Sequence, residues 1–202
     1  MKDKESSRKL KAAETKRRIY ESAIELIRVH QFNNVSVNDI VEAAGVSKGT
    51  FYVHYKSKYS LISDHVSTLD LCYEEFFNSI LPDTKPSETL LLVTGRVADM
   101  LVYDIGIDTM RTVYEALIKK IDGTEALLSY DRKLYQIYRQ IIMQGVRQGE
   151  FRETLNVDSV ANHCIMSIRG MAFEWCIRYP EFDFKKEVFE HFEILMPGIK
   201  NV

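Results

Sequence analysis

The apolar positions of this chain recur with helical spacing almost from end to end. Between about Ala12 and His30, the residues Ile19, Ala23, Ile24, Leu26 and Ile27 share one face and predict a first helix. Ser36, with Asp39 three residues on, forms a variant of the capping box, and Val37, Ile40, Val41 and Ala44 supply the inner face of a short second helix. Gly45 stands where the chain must turn sharply. Ser47 then caps a third short helix, with Phe51 and Tyr55 four apart on its buried side. Ser57 is expected to cap a long fourth helix whose apolar period runs from Leu61 to Ile80 and is stopped by Pro82. Further helices are predicted near 87–104, 107–121, 124–148, 157–179 and 184–196, separated by Gly106, Asp122-Gly123, Gly149 and Pro180. No segment alternates with period two over a useful length. The expected fold is all-α, about nine helices, with a small N-terminal helical unit (12–57) and a larger C-terminal helical body (58–202).

Charge sharpens that division. The net charge of −2 hides an asymmetry: residues 1–60 carry +5 and residues 61–202 carry −7. A basic first third on an acidic body suggests a polyanion-binding module joined to a part with other work. The first eleven residues are polar, with Lys2, Lys4, Arg8, Lys9 and Lys11, and read as a mobile basic arm. No apolar run is long enough to span a bilayer, and no apolar core follows the N-terminus as in a signal peptide. Three cysteines (Cys72, Cys164, Cys176) without a CxxC argue against a disulfide framework and fit a reducing cytoplasm. Nucleotide-cradling glycine motifs and HExxH are absent, and the adjacent His163 and Cys164 point about 100° apart on a helix. No catalytic residue, metal or cofactor is therefore expected.

The pair of short helices over 36–55 carries the main functional signal. A three-residue turn, Gly45-Val46-Ser47, joins them with its valine inward, the layout of a helix-turn-helix. In such a unit the second helix lies in the major groove of DNA. With Val46, Phe51 and Tyr55 buried, its outward residues are Lys48, Gly49, Thr50, Tyr52, Val53 and His54. That set offers donors for phosphate, a cation for guanine and apolar groups for thymine methyls. By composition alone, an ordinary helical hairpin remains the alternative.

The run Gly45-Val46-Ser47-Lys48-Gly49-Thr50-Phe51-Tyr52-Val53-His54-Tyr55-Lys56-Ser57-Lys58 resembles the signature of the tetracycline-repressor (TetR) family of transcriptional regulators. Leu61 continues it, and Ile40, Ala44 and Phe32 precede it at the right distances, so the resemblance covers 14–62. It implies that Ser36, Val37, Thr50, His54 and Lys58 contact phosphates, and that Asn38, Lys48, Gly49, Tyr52 and Val53 reach base edges. For Tyr52, packing or a phosphate contact is the rival role. Three departures stand out: Gln31 where the family usually ends its first helix with Gly, Val53 for a common aromatic, and Tyr59-Ser60 for a common acidic pair.

The body suggests a dimer and a pocket. Residues 157–179 are apolar on two sides, a main stripe through Cys164, Ile168 and Trp175 and a second through Met166, Gly170, Phe173 and Ile177, so two covers are needed. With the last helix, Ile168, Met171, Trp175, Val188, Phe189, Phe192 and Leu195 are expected to form a four-helix interface with a second copy, as the resemblance implies; both stripes satisfied within one subunit is the alternative. Tyr73, Phe77, Met100, Tyr103, Met110, Tyr114, Tyr138, Met143, Met166 and Phe173 are candidates to line an adaptable apolar pocket, against a plain-core reading of each. Arg169 interrupts an apolar helix and either neutralises an anionic ligand or pairs with Glu174 or Glu115. The chain is thus expected to be a homodimeric regulator, a repressor that a small, largely apolar effector releases from a pseudo-palindromic operator. A ligand-independent architectural DNA-binding protein, or a small-molecule carrier or enzyme with a vestigial DNA module, are the alternatives.

Overall fold

The computed structural model describes residues 2–122 and 124–201; Met1, Gly123 and Val202 lie outside them. Nine α-helices follow one another among the described residues: α1 (Lys2–His30), α2 (Val37–Ala43), α3 (Lys48–His54), α4 (Ser60–Ser79), α5 (Pro86–Asp99), α6 (Ile107–Ile118), α7 (Lys133–Arg147), α8 (Val157–Arg178) and α9 (Phe184–Ile199). Short 3-10 turns cover Phe32–Asn34 and Glu125–Leu128, and a π-helical stretch, Met100–Ile105, prolongs α5.

Three expectations are corrected here. Residues 2–11 belong to α1 instead of forming a separate arm; Arg8, Lys9, Leu10 and Lys11 are good helix formers and hold the helix although exposed. Ser57 does not cap α4, which starts at Ser60; the Ser57 backbone N–H donates to Ser60 Oγ instead. The helix expected over 124–148 is broken where Ser129 Oγ accepts the Asp131 N–H and the extended Arg132 precedes α7.

Two compact units result: residues 1–66 with 115–127, and residues 67–114 with 128–202. The division therefore falls inside α4 instead of at 57. In the first unit α1, α2 and α3 pack around Ile19, Ala23, Ile27, Phe32, Ile40, Phe51, Tyr55 and Leu61, all buried. In the second, α7 packs on α8, α5 on α7 and α9, and α8 on α9. Burying so many Leu, Ile and aromatic side chains supplies the driving force for this bundle.

Several polar groups inside the second unit are paired. Tyr138 is fully buried and its hydroxyl bonds Thr94 Oγ1 at 2.9 Å. Asp70 accepts two bonds from Arg132, at 2.7 and 3.2 Å. The Glu150 carboxylate receives the N–H and hydroxyl of Ser87 in the first turn of α5. Gly145 of α7 is required by contact: a Cβ there would lie 2.1 Å from the ring of Phe151, which is fully buried.

The residues expected at a dimer interface divide by their burial within one subunit. Ile168, Trp175, Val188 and Phe192 belong to the unit's own core, with Phe192 0% exposed. Trp175 stacks on Phe184 at 5.4 Å. Phe189 is partly exposed with its ring over Gly95, and Met171 and Leu195 are half-buried. The main α8 stripe faces α7 and α9, so its second stripe, Met166, Gly170, Phe173 and Ile177, is left outward.

Candidate DNA interface

The helix-turn-helix is built from local bonds. Ser36 Oγ accepts the Asp39 N–H at 3.2 Å, and the Asp39 carboxylate accepts the Ser36 N–H at 2.7 Å. This reciprocal box starts α2, and the two Ser36 bonds hold the Asp39 carboxyl below its ordinary pKa. At the other end Gly45 adopts φ +61°. Val46 N donates to Val41 O and Gly45 N to Glu42 O, which is the paired bonding of a Schellman cap. Ser47 then caps α3, its Oγ accepting the Thr50 N–H at 3.1 Å and lying 2.9 Å from Thr50 Oγ1.

Phe51 and Tyr55 hold α3 inward, both buried. Lys48 and Gly49 therefore face out together with Tyr52 and Val53 one turn further on, and Val53 is 79% exposed. Thr50 and His54 flank this face half-buried, while Ser36 and Asn38 are exposed at the start of α2 and Val37 is half-buried. The ten expected contact residues, Lys58 apart, thus lie on or beside the outward side of the two short helices. An exposed cation, a glycine without side-chain bulk, a phenol and an isopropyl group on one helix face match the groups of a major groove.

Lys58 is placed differently. Its ammonium donates to Phe32 O at 2.5 Å and Val35 O at 2.7 Å, and lies 4.3 Å from the centre of the Phe32 ring. Burial lowers its pKa, with the Asp39 charge opposing. Three further bonds tie the first turns of α4 to this unit. Asp64 accepts from Lys16 Nζ at 2.7 Å and from the Tyr55 hydroxyl at 2.6 Å, and the Tyr20 hydroxyl meets His65 Nδ1 at 2.9 Å. Sequence pattern missed these pairs; the one signal that could have pointed to them is a histidine, His65, within the apolar stripe of α4.

The residues proposed for a pocket do not converge. Tyr73, Met100, Met110 and Tyr138 are core, Phe77 packs at its edge, and Tyr103 and Met166 are exposed. Met143 lies in a surface groove with polar neighbours of α7 such as Gln140 and Arg147. Three do meet: the Tyr114 hydroxyl donates to Arg169 O at 2.7 Å, and its ring abuts Phe173 edge-on at 5.4 Å. Burial and the neighbouring Arg132 charge lower the Arg169 pKa. Glu174 and Glu115, the acids considered for it, pair with Arg178 and Lys119. Burial also raises the Cys164 and Cys176 thiols to about 12 and about 11, which keeps them protonated at neutral pH.

Two capped short helices, a left-handed glycine turn and an outward polar face on the second define a helix-turn-helix DNA-binding regulator. The chain matches the model of the bacterial regulatory proteins of the tetR family over residues 19–64. It is 23% identical to the fatty acid metabolism regulator protein of Bacillus subtilis (strain 168), covering 91% of this chain and 94% of that one. It is likewise 23% identical to the HTH-type transcriptional regulator AcrR of Shigella flexneri, over 93% of this chain and 90% of the relative. Among solved structures it resembles FadR of Thermus thermophilus, a TetR-family repressor crystallised with lauroyl-CoA: TM-score 0.75, 24% identity, covering 90% of this chain and 93% of that one. This last likeness shows the fold. No helix among the described residues is long and apolar enough to cross a membrane.

Proposed function

We propose that this protein is a cytoplasmic, homodimeric transcriptional repressor that binds a pseudo-palindromic operator and is released from it by a small, largely apolar effector. The carrying observation is the outward face of α3, where Lys48, Gly49, Tyr52 and Val53 stand together on a helix capped at Ser47. On this reading Lys48 donates to guanine O6 and N7, Val53 meets a thymine methyl, and Asn38, Gly49 and Tyr52 complete the base contacts. Ser36, Val37, Thr50 and His54 contact phosphates and fix the register. The outward α8 stripe supplies the apolar surface for a second copy. The names of two relatives, a fatty acid metabolism regulator and a repressor bound to lauroyl-CoA, make a long acyl chain the first effector class to try. Both units share α4, which gives an effector in the body a covalent route to the reading head.

The test is a titration of a labelled duplex carrying an inverted repeat from the DNA beside the gene, repeated across a salt series. Specific binding is expected to weaken steeply with salt, the log–log slope falling by about 0.9 for each phosphate neutralised. Binding that ignores sequence at every salt concentration favours the architectural alternative.

A further inference from the structure

We propose that Lys58 is a positioning residue for DNA binding, tying the α1–α2 connection to the entry of α4 so that α2 and α3 are held at the angle the duplex requires. The inference rests on the DNA-binding reading above, and it gives Lys58 a different role from the phosphate contact its place in the signature suggests.

Two observations carry it. The first is the clasp itself. A lysine ammonium has three N–H donors, and two of them go to Phe32 O and Val35 O, at 2.5 and 2.7 Å. Those carbonyls belong to the five-residue connection immediately before the Ser36 cap of α2. Ammonium–carbonyl bonds are charge-assisted, and here they close beside the Phe32 ring, on which Tyr59 also packs at 5.2 Å. The clasp therefore ties one side of the connection to the start of α4, close to the α2 terminus that is to meet the backbone.

The second observation is strain next to it. Gln31, the last residue before Phe32, has φ 67° and ψ 152°. Side-chain-bearing residues avoid this region, and such a conformation persists only where the surroundings enforce it. With no glycine to relieve the turn, the chain leaves α1 under strain, and the Lys58 bonds to two of the next four residues, Phe32 and Val35, hold it there. Removing the ammonium frees the connection to relax, and α2 then swings away from its bound orientation.

The experiment compares the wild type with Lys58→Met, Gln31→Gly and the double variant. Lys58→Met is expected to weaken operator binding about tenfold or more while leaving the salt slope unchanged, since no phosphate contact is lost. Amide hydrogen exchange over 32–40, measured without DNA, is expected to speed up. Gln31→Gly removes the strain, so the double variant is expected to recover most of the lost affinity. A phosphate ligand predicts the opposite: a slope smaller by about one, exchange unchanged, and no rescue by glycine. Either that slope change or the absence of rescue overturns the proposal. Should Lys58→Met fail to fold, the double variant is compared with Gln31→Gly, and a slope difference of about one again decides against the clasp. If the wild type itself shows no operator preference, the DNA reading fails, and the exchange measurement still judges the clasp alone.

Discussion

Gly49 separates stability from function at the level of one residue. It sits in the first turn of α3, exposed, and a Cβ there would meet only Ser47 Oγ at an ordinary 3.7 Å. Alanine is the better helix former, by about 0.5–1 kcal/mol in a helix interior and less in a first turn. Gly49→Ala is therefore expected to leave the free protein slightly more stable in thermal unfolding. On the proposed interface the added methyl intrudes between α3 and a base edge, so operator affinity is expected to fall about tenfold, equivalent to about 1.4 kcal/mol. Opposite signs in the two measurements place Gly49 against DNA; a rise in both removes it from the interface. Phe51, two positions on and fully buried, is expected to behave conventionally, losing stability and binding together on truncation.

The α2 element carries a pH dependence of predictable sign. Its Asp39 accepts the Ser36 N–H, and both Ser36 bonds favour the ionised form, so the carboxyl titrates below its ordinary 3.8 when folded. A carboxyl depressed on folding adds stability that is fully present above the ordinary value and is lost as pH falls through the folded one. Amide exchange at the start of α2 is expected to accelerate below pH 3.8 in the wild type. In Asp39→Asn it is expected to be fast already at neutral pH and to lack that acid step. An unaltered acid step in the variant would assign the effect to another group. These bonds also explain what could be read in advance. The α2–turn–α3 unit was legible because each determinant lies within five residues of its partner: Ser36 with Asp39, Gly45 with Glu42, Ser47 with Thr50. The bonds of α4 were not. Lys58 reaches back 26 and 23 residues and Lys16 reaches Asp64 across 48, and periodicity says nothing about such distances. Helix α8 failed for a different reason. Both its stripes are apolar, and only the placement of α7 and α9 decides that Ile168 and Trp175 turn inward while Phe173 and Ile177 turn outward. The pocket suffered most, since buried aromatics such as Tyr138 have the same composition whether they line a cavity or fill a core.

For the whole molecule, the burial pattern decides which substitution tests assembly. A charge at Phe192 does not, because that side chain is 0% exposed within its own subunit and an unpaired carboxylate there costs several kcal/mol of folding. The variant is expected to unfold without reporting on association. Ile177 is 59% exposed at the end of the outward α8 stripe, so Ile177→Glu places its charge in water in the monomer and in an apolar interface only in the dimer. The expected protein keeps its helical content and nearly its melting temperature, and runs at half the wild-type mass in solution. Its DNA binding then changes in kind. Two linked reading heads, set near 34 Å apart to match one helical turn, make the second half-site contact intramolecular. A monomer lacks that gain, so operator affinity is expected to fall by about 100-fold or more. Binding to a duplex with a single half-site should be nearly unchanged, since α3 and its caps are untouched. A dimer of wild-type mass in Ile177→Glu moves the interface off this stripe; a monomer that still binds the full operator tightly denies the need for two half-sites. Equal weakening on the full operator and the single half-site would instead mean that the substitution has disturbed the reading head itself.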